Sequence, residues 1–143
     1  MQKQALALIL ALSGTLLLAS CGKPDLHHDE RLDGKWLSHP IRTLPGIMGN
    51  RDMSKEEKGN AMKKLGQLAF VFRGNTTAVT FEKKPDERLE QQIYTVTERT
   101  PDSVTIQTSK GAVAKYYFEG DCFYLINPEW KYRDYFCKAP EFR

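Results

Sequence analysis

The stretch CFYLINPEWKYRDYFC, residues 122–137, begins and ends with a cysteine and holds a proline-containing loop near its middle. If Asn127 pairs with Tyr132 across that loop, the antiparallel register places Cys122 directly opposite Cys137. The α-carbons of directly opposed residues lie about 4.5–5.5 Å apart, which is within the range of a disulfide. The position of the turn and the positions of the cysteines therefore predict the same β-hairpin, closed by a Cys122–Cys137 disulfide.

The chain before this hairpin shows the same strand pattern repeatedly. Residues 68–73 alternate between two faces, and Gly74-Asn75 is a two-residue hairpin signal. Short connections with ordinary turn residues separate the later segments. The predicted strands are 34–38, 68–73, the return strand through Val79 and Phe81, 91–98, 103–109, 112–119, 122–127 and 131–139. We therefore predict an all-β fold, an antiparallel meander of about eight strands.

Extending the hairpin register backwards makes the predicted sheet apolar on both faces. One face would hold Ile93, Val104, Ile106, Val113, Tyr117, Tyr124, Ile126 and Tyr135. The other would hold Tyr94, Val96, Tyr116, Phe118, Phe123, Leu125, Tyr132 and Phe136. A sheet with one solvated side is expected to be apolar on one face only. Either a bulge shifts the alternation, or the helix and the 38–53 segment cover one face, or that face binds a partner, in this order of preference.

One amphipathic helix is predicted between the first two strands. Ser54 followed by Glu57 is a capping box, in which each side chain accepts a hydrogen bond from the backbone of the other residue. Gly66 is a plausible stop. The apolar positions that follow a helical spacing are Ala61, Met62, Leu65, Leu68 and Ala69.

Residues 38–53 contain two prolines and two glycines, which favours a loop. The loop is unusually apolar for its length, because it also carries Ile41, Leu44, Ile47 and Met48. A long loop inside a compact domain is commonly a lid or a binding loop. These four residues are therefore the candidate lid over a small apolar ligand.

The segment before Cys21 has the pattern of a secretory signal peptide. Residues 5–20 carry no charge and would span about 24 Å as a helix, short of the ~30 Å hydrocarbon core of a bilayer. Leu18-Ala19-Ser20-Cys21 resembles the lipobox of bacterial lipoproteins, in which the signal is removed before the cysteine and the thiol is diacylated. The resemblance implies lipidation of Cys21, and two or more acyl chains anchor a protein stably.

This resemblance also implies the organisation of the chain and its location. Residues 1–20 are the expected signal peptide, residues 21–31 a lipidated tether, and residues 32–143 the barrel domain. Gly22 stands where enterobacterial lipoproteins of the inner membrane tend to carry aspartate, which implies anchoring to the outer membrane. An exported compartment is oxidising and favours the Cys122–Cys137 disulfide.

A Gly-x-Trp segment, Gly34-Lys35-Trp36, opens the predicted meander, and this combination resembles the lipocalin family. In that family the tryptophan lies at the closed end of the barrel and an arginine from a late strand packs on it. Arg133 is the nearest candidate for that arginine. The later Thr-Asp-Tyr motif of the family is absent, and the helix precedes the second strand. The resemblance implies a small lipocalin-like barrel, either enclosing a cavity or filled by side chains.

The sequence contains none of the common catalytic, zinc or phosphate-binding motifs. His27, His28, Asp29 and Glu30 are interpreted as a solvated linker, because adjacent histidines in a flexible tether do not fix a tetrahedral metal site. The 21 basic and 18 acidic side chains nearly balance, which gives no reason to expect nucleic acid as a partner. We expect no enzymatic activity, no cofactor and no metal.

Two functions remain open for such a protein. The first is a lipid-anchored binding or accessory module of the cell envelope that holds a small apolar ligand. The alternative is a protein-interaction module, such as an assembly accessory factor or an inhibitor or immunity-type lipoprotein. Trp130 and Tyr132, in the loop of the last hairpin, are the candidate partner surface of this alternative.

Overall fold

The computed structural model of the protein describes residues 27–82, 84–88 and 90–140. The predicted signal peptide, the lipidation site Cys21 and the tether up to residue 26 lie outside the described residues. A 3₁₀ helix (Glu30–Leu32) precedes strand β1 (Gly34–Ser38), which is followed by helices α1 (Pro40–Met48) and α2 (Lys55–Lys64). The other strands are β2 (Leu68–Arg73), β3 (Thr76–Phe81), β4 (Lys84–Arg88), β5 (Gln92–Arg99), β6 (Ser103–Thr108), β7 (Val113–Glu119), β8 (Cys122–Ile126) and β9 (Arg133–Lys138).

Eight of these strands close into an antiparallel barrel. β1 pairs with both β2 and β9, and β3 pairs with both β2 and β5, so the meander returns to its first strand. Strand β4 lies outside this ring and pairs only with the end of β3. The predicted all-β meander and the small lipocalin-like barrel are confirmed. The short β4 is an addition that the sequence pattern did not indicate.

The register of the last hairpin is the one that the turn and the cysteines predict. Cys122 lies opposite Cys137, and the two residues form a disulfide. The backbone amide of Asn127 donates to the carbonyl of Tyr132 at 2.9 Å, closing the loop as expected. A crosslink over a loop of this size contributes about 3 kcal/mol to stability in the chain-entropy account.

The two apolar faces are explained in part by a bulge, the preferred of the three explanations, and in part by the length of one loop. The loop between β6 and β7 has three residues (109–111), and Gly111 supplies the left-handed φ of +86° that such a loop requires. Val104 therefore lies opposite Tyr116 instead of Tyr117. A one-residue change in register moves every side chain of a strand to the other face. Val104 and Ile106 consequently point inward. A bulge in β5 keeps the apolar residues Tyr94 and Val96 of that strand inward as well.

The interior of the barrel is filled by side chains, many of them aromatic. Phe123 is fully buried, and its ring centroid lies 4.7 Å from that of Trp36 and 4.9 Å from that of Tyr116. Edge-to-face and tilted contacts of this kind stabilise a core beyond the area that they bury. The buried members of this core are Leu32, Trp36, Phe72, Tyr94, Val96, Val104, Ile106, Tyr116, Phe123 and Phe136.

The residues before β1 belong to the folded domain. Asp29, which was expected in the solvated tether, is only 4 % exposed and forms ion pairs with Arg31 (2.7 Å) and Arg99 (3.0 Å). The indole of Trp36 donates to the carbonyl of Leu32 at 2.6 Å. The 3₁₀ helix thus closes this end of the barrel and packs onto the tryptophan of the Gly-x-Trp segment.

The cation that lies over this tryptophan is Lys138, not Arg133. The Lys138 ammonium lies 5.3 Å from the centroid of the Trp36 ring, at the end of the last strand. Arg133 lies at the start of that strand, over the ring of Tyr124. Arg133 is therefore the wrong candidate for the lipocalin arginine, because five residues of strand separate it from the closed end.

Two helices stand where one helix and a loop were expected. Residues 40–48 form α1: Pro40 occupies the first turn, where its missing amide costs nothing, and His39 Nδ1 caps the amide of Arg42 at 3.3 Å. The prediction of a loop was wrong because packing against β9 stabilises a helix that contains Pro45.

Helix α2 confirms the predicted capping box of Ser54 and Glu57. None of its residues is fully buried. Leu68 and Ala69, which the helical spacing had included, belong to β2.

Candidate functional site

The four candidate lid residues lie on opposite sides of helix α1. Ile47 is fully buried, whereas Ile41 is 80 %, Leu44 38 % and Met48 54 % exposed. Spacings of three and four residues place Ile41, Leu44 and Met48 on one side of the helix. We refer to these three side chains as the outer face of α1. The segment thus has an apolar side that packs on the barrel and a second apolar side that the described residues leave exposed.

Helix α1 is held against β9 and the loop before it by the side chain of Thr43 and by a close approach at Gly46. The Thr43 hydroxyl accepts a hydrogen bond from the Tyr135 amide at 2.9 Å and donates to the Asp134 carboxylate at 3.3 Å. A Cβ atom at Gly46 would lie 3.2 Å from the Cβ of Tyr132. Glycine at this position therefore allows α1 to approach the residues at the start of β9 closely.

Asp134, beside α1, is a largely buried carboxylate. Burial raises its pKa, and the hydrogen bond from Thr43 offsets only part of that effect. No arginine, lysine or histidine among the described residues forms an ion pair with it. The site therefore contains a carboxylate that is more costly to ionise than an exposed one.

Three tyrosines lie next to one another on the outer wall of the barrel, on strands β7, β8 and β9. Tyr117 and Tyr124 are stacked with their ring centroids 5.0 Å apart, and Tyr135 follows at 5.3 Å from Tyr124. The Tyr135 hydroxyl donates to the carboxylate of Glu119 at 3.0 Å. We refer to these three residues as the tyrosine row. Because Tyr117 and Tyr124 are half-exposed, the row forms part of the protein surface.

A cation lies over each member of the tyrosine row. The charged groups of Lys115, Arg133 and Arg42 lie 5.6, 4.6 and 4.9 Å from the ring centroids of Tyr117, Tyr124 and Tyr135, respectively. Arg42 belongs to α1, so the tyrosine row lies beside this helix. Aromatic rings and arginine are the residue types enriched in the centres of protein–protein interfaces.

Trp130 and Tyr132, the candidate partner surface from the sequence, are both half-buried in the loop before β9. The Trp130 carbonyl accepts a hydrogen bond from Asn50, which follows α1, at 2.7 Å. The loop is thereby tied to the end of α1. The tyrosine row was not singled out because its three members were distributed over a face that also held Val104 and Ile106, which the structure places inside.

A cavity with a different lining lies elsewhere on the described part of the chain. It has a volume of about 800 Å³ and is bordered by β1, β2, β3 and the residues before β5. Lys35 and Glu82 form an ion pair of 3.2 Å in its lining, and Arg73 and Glu90 also border it. A second, shallower cavity of about 490 Å³ lies beside the disulfide. None of the candidate lid residues lines either cavity.

No group of histidine, cysteine, aspartate and glutamate side chains among the described residues could hold a metal ion. No helix in the described ranges has both the length and the apolar character needed to cross a membrane. No family model, no curated protein and no solved structure matches the chain.

Proposed function

We propose that the protein is a non-enzymatic, lipid-anchored module of the bacterial cell envelope that binds another protein. The observation that carries the proposal is the outer face of α1. Its three apolar side chains stay exposed although the other side of the same helix is packed, and Arg42 of the same helix lies over Tyr135 of the tyrosine row. Contiguous apolar and aromatic surface on a folded domain is typical of protein-binding sites.

The lipobox supports the anchored location. Cleavage before Cys21 would leave a lipidated cysteine at the N-terminus, followed by a short tether, and Gly22 favours the outer membrane. The tether reaches the domain at the 3₁₀ helix, before the start of β1, whereas α1 follows the end of that strand. Because α1 and the residues that lead to the predicted anchor lie at opposite ends of β1, we propose a protein, not the membrane of the anchor, as the partner of the outer face.

A carrier of a small apolar ligand is the second candidate. The cavity of about 800 Å³ favours it, since this volume is in the range of small-molecule sites. The filled barrel interior and the ion pair in the cavity lining favour the protein-binding function over it. Recovery of a lipid bound to the purified protein would favour the carrier.

The test combines crosslinking in cells with two matched double substitutions. Leu44→Ser with Met48→Ser makes the outer face of α1 polar, while Ile93→Ser with Val113→Ser does the same at exposed residues of β5 and β7. We expect both proteins to melt like the wild type, and only the first to lose a crosslinked partner that mass spectrometry identifies in the wild type. The same adduct from both variants would contradict the proposal.

The anchor is tested in the same cells with Cys21→Ala. We expect uncut precursor and no incorporation of labelled fatty acid, because the acyl acceptor is absent. Normal processing together with labelling of this variant would remove the lipoprotein part of the proposal and leave the protein-binding part to the crosslinking result.

A further inference from the structure

Arg133 differs from the other two cations of the tyrosine row in its charge partners. Arg42 forms an ion pair with Glu119 at 3.5 Å, and Lys115 forms one with Glu98 at 3.0 Å. Arg133 is exposed and has no ion pair with a carboxylate in the part of the chain that the structure describes. Among the described residues it is the cation of the row that has no carboxylate within ion-pair distance, and Glu119 acts on its charge only from further away.

The Arg133 guanidinium is nonetheless held in place. It lies over the ring of Tyr124 at 4.6 Å, and its Nη1 approaches the Tyr135 hydroxyl at 3.5 Å. The nearby Glu119 is already engaged by Arg42 and by that same hydroxyl. A guanidinium stacked on an aromatic ring keeps donors free at its edge, and its planar fork matches the two oxygens of a carboxylate.

We infer that the bound partner presents a carboxylate, from an acidic side chain or a chain terminus, to Arg133 on the tyrosine row. This inference rests on the proposed protein-binding function and specifies the chemistry of its partner. Charge complementarity is the basis: the apolar outer face of α1 supplies contact area, and the fixed guanidinium of Arg133, a residue next to the same helix at Gly46, supplies the polar contact. A charge-assisted pair between two fixed partners sets orientation and excludes partners that lack the acid.

A substitution that converts the guanidinium into a reactive amine tests this directly. Arg133→Lys keeps the positive charge, and a carbodiimide then couples its amine to a carboxylate in contact, forming an amide. Arg73→Lys is the matched control, since Arg73 is an exposed arginine at the end of β2, outside the tyrosine row. The probe is the carbodiimide alone, applied to intact envelopes that contain the full-length protein.

We expect peptide mapping to find an amide between position 133 and an aspartate, glutamate or C-terminus of another protein, and no intermolecular link from position 73. Arg133→Gln is expected to reduce the adduct found in the α1 crosslinking experiment about tenfold, the size of effect typical of one charge-assisted hydrogen bond. Arg73→Gln is expected to leave that adduct unchanged.

The outcomes separate this inference from the proposed function. If the α1 adduct forms but position 133 links only to acids of its own chain, or to nothing, the carboxylate inference is overturned and the protein-binding function stands. An α1 adduct that is insensitive to Arg133→Gln leads to the same conclusion. If the wild type forms no crosslinked adduct with any partner, both the carboxylate inference and the proposed protein-binding function are overturned.

Discussion

A carboxylate withdrawn from solvent lies near each end of strand β1. The surroundings of these two carboxylates differ. Before the strand, Asp29 accepts hydrogen bonds from both Arg31 and Arg99. Beside the helix that follows the strand, Asp134 accepts a hydrogen bond from the Thr43 hydroxyl, the only side-chain partner that it has among the described residues. Burial acts to raise the pKa of Asp29, but the hydrogen bonds and charges of the arginines outweigh it and lower the pKa. At Asp134 burial prevails and the pKa is raised.

The difference indicates at which end of β1 the polar groups are satisfied by partners within the domain. At the 3₁₀ helix, the guanidinium of Arg31 also donates to the carbonyls of Thr100 and Pro101, so the polar groups of this end satisfy one another. At α1, an unpaired carboxylate, an exposed apolar helix side and an unmatched arginine occur within one region. An end with satisfied groups serves stability, whereas unsatisfied groups gathered on one surface are typical of a binding region.

The largest effect is expected at the closed end. Asp29→Ala leaves Arg31 and Arg99 without their shared carboxylate and should lower the free energy of unfolding by about 3–5 kcal/mol. Denaturant unfolding measures this loss, and Glu30→Ala, at an exposed neighbour, is the control and should stay within about 0.5 kcal/mol of the wild type.

The pH dependence of that loss has a defined sign. Because the pKa of Asp29 is lowered on folding, its contribution is fully present above the ordinary aspartate pKa of about 3.9 and is lost as the pH falls through the folded-state value. An Asp29→Ala effect that is unchanged at low pH would show that packing, not the ion pairs, stabilises this end.

The next effects in size are expected from substitutions on the two sides of α1. Ile47→Ala should lower stability by about 2–5 kcal/mol, because it empties space at a fully buried position. Met48→Ala, one residue further on the outer face, should change stability by no more than about 0.5 kcal/mol. Thermal or denaturant unfolding of both variants checks the contrast. Equal losses would mean that the outer face is packed and not available to a partner.

The smallest effect, with opposite sign, is expected at Asp134. Asp134→Asn keeps the hydrogen-bond acceptor for Thr43 and removes a charge that burial disfavours, so it should stabilise the domain at pH 7. The pKa of Asp134 is raised on folding, so the wild type itself gains stability as the pH falls through that value, and the advantage of the variant should disappear below about pH 3.9. Unfolding curves at pH 7 and pH 3 measure this. A destabilised variant at pH 7 would show that a cation outside the described residues pairs with Asp134.

Features that depend on a few neighbouring residues were predictable from the sequence. The bounds of β1, the Cys122–Cys137 register and the capping box at Ser54 were all predicted, because turn chemistry, cysteine spacing and cap chemistry act within one turn or one hairpin. The candidate site was predicted only in part. Its apolar residues were recognised, but the sequence did not show which of them face solvent.

What the sequence by itself determined is therefore the eight strands of the barrel and the disulfide that closes the last hairpin. The tertiary structure alone decided that a proline-containing segment becomes helix α1, that Ile47 is buried while Leu44 and Met48 are exposed, and that Lys138 takes the place over Trp36. The physical reason is that local signals fix backbone conformation residue by residue. Burial depends instead on which surfaces meet when the barrel closes, and one additional loop residue at Gly111 is enough to exchange the inside and outside of a strand.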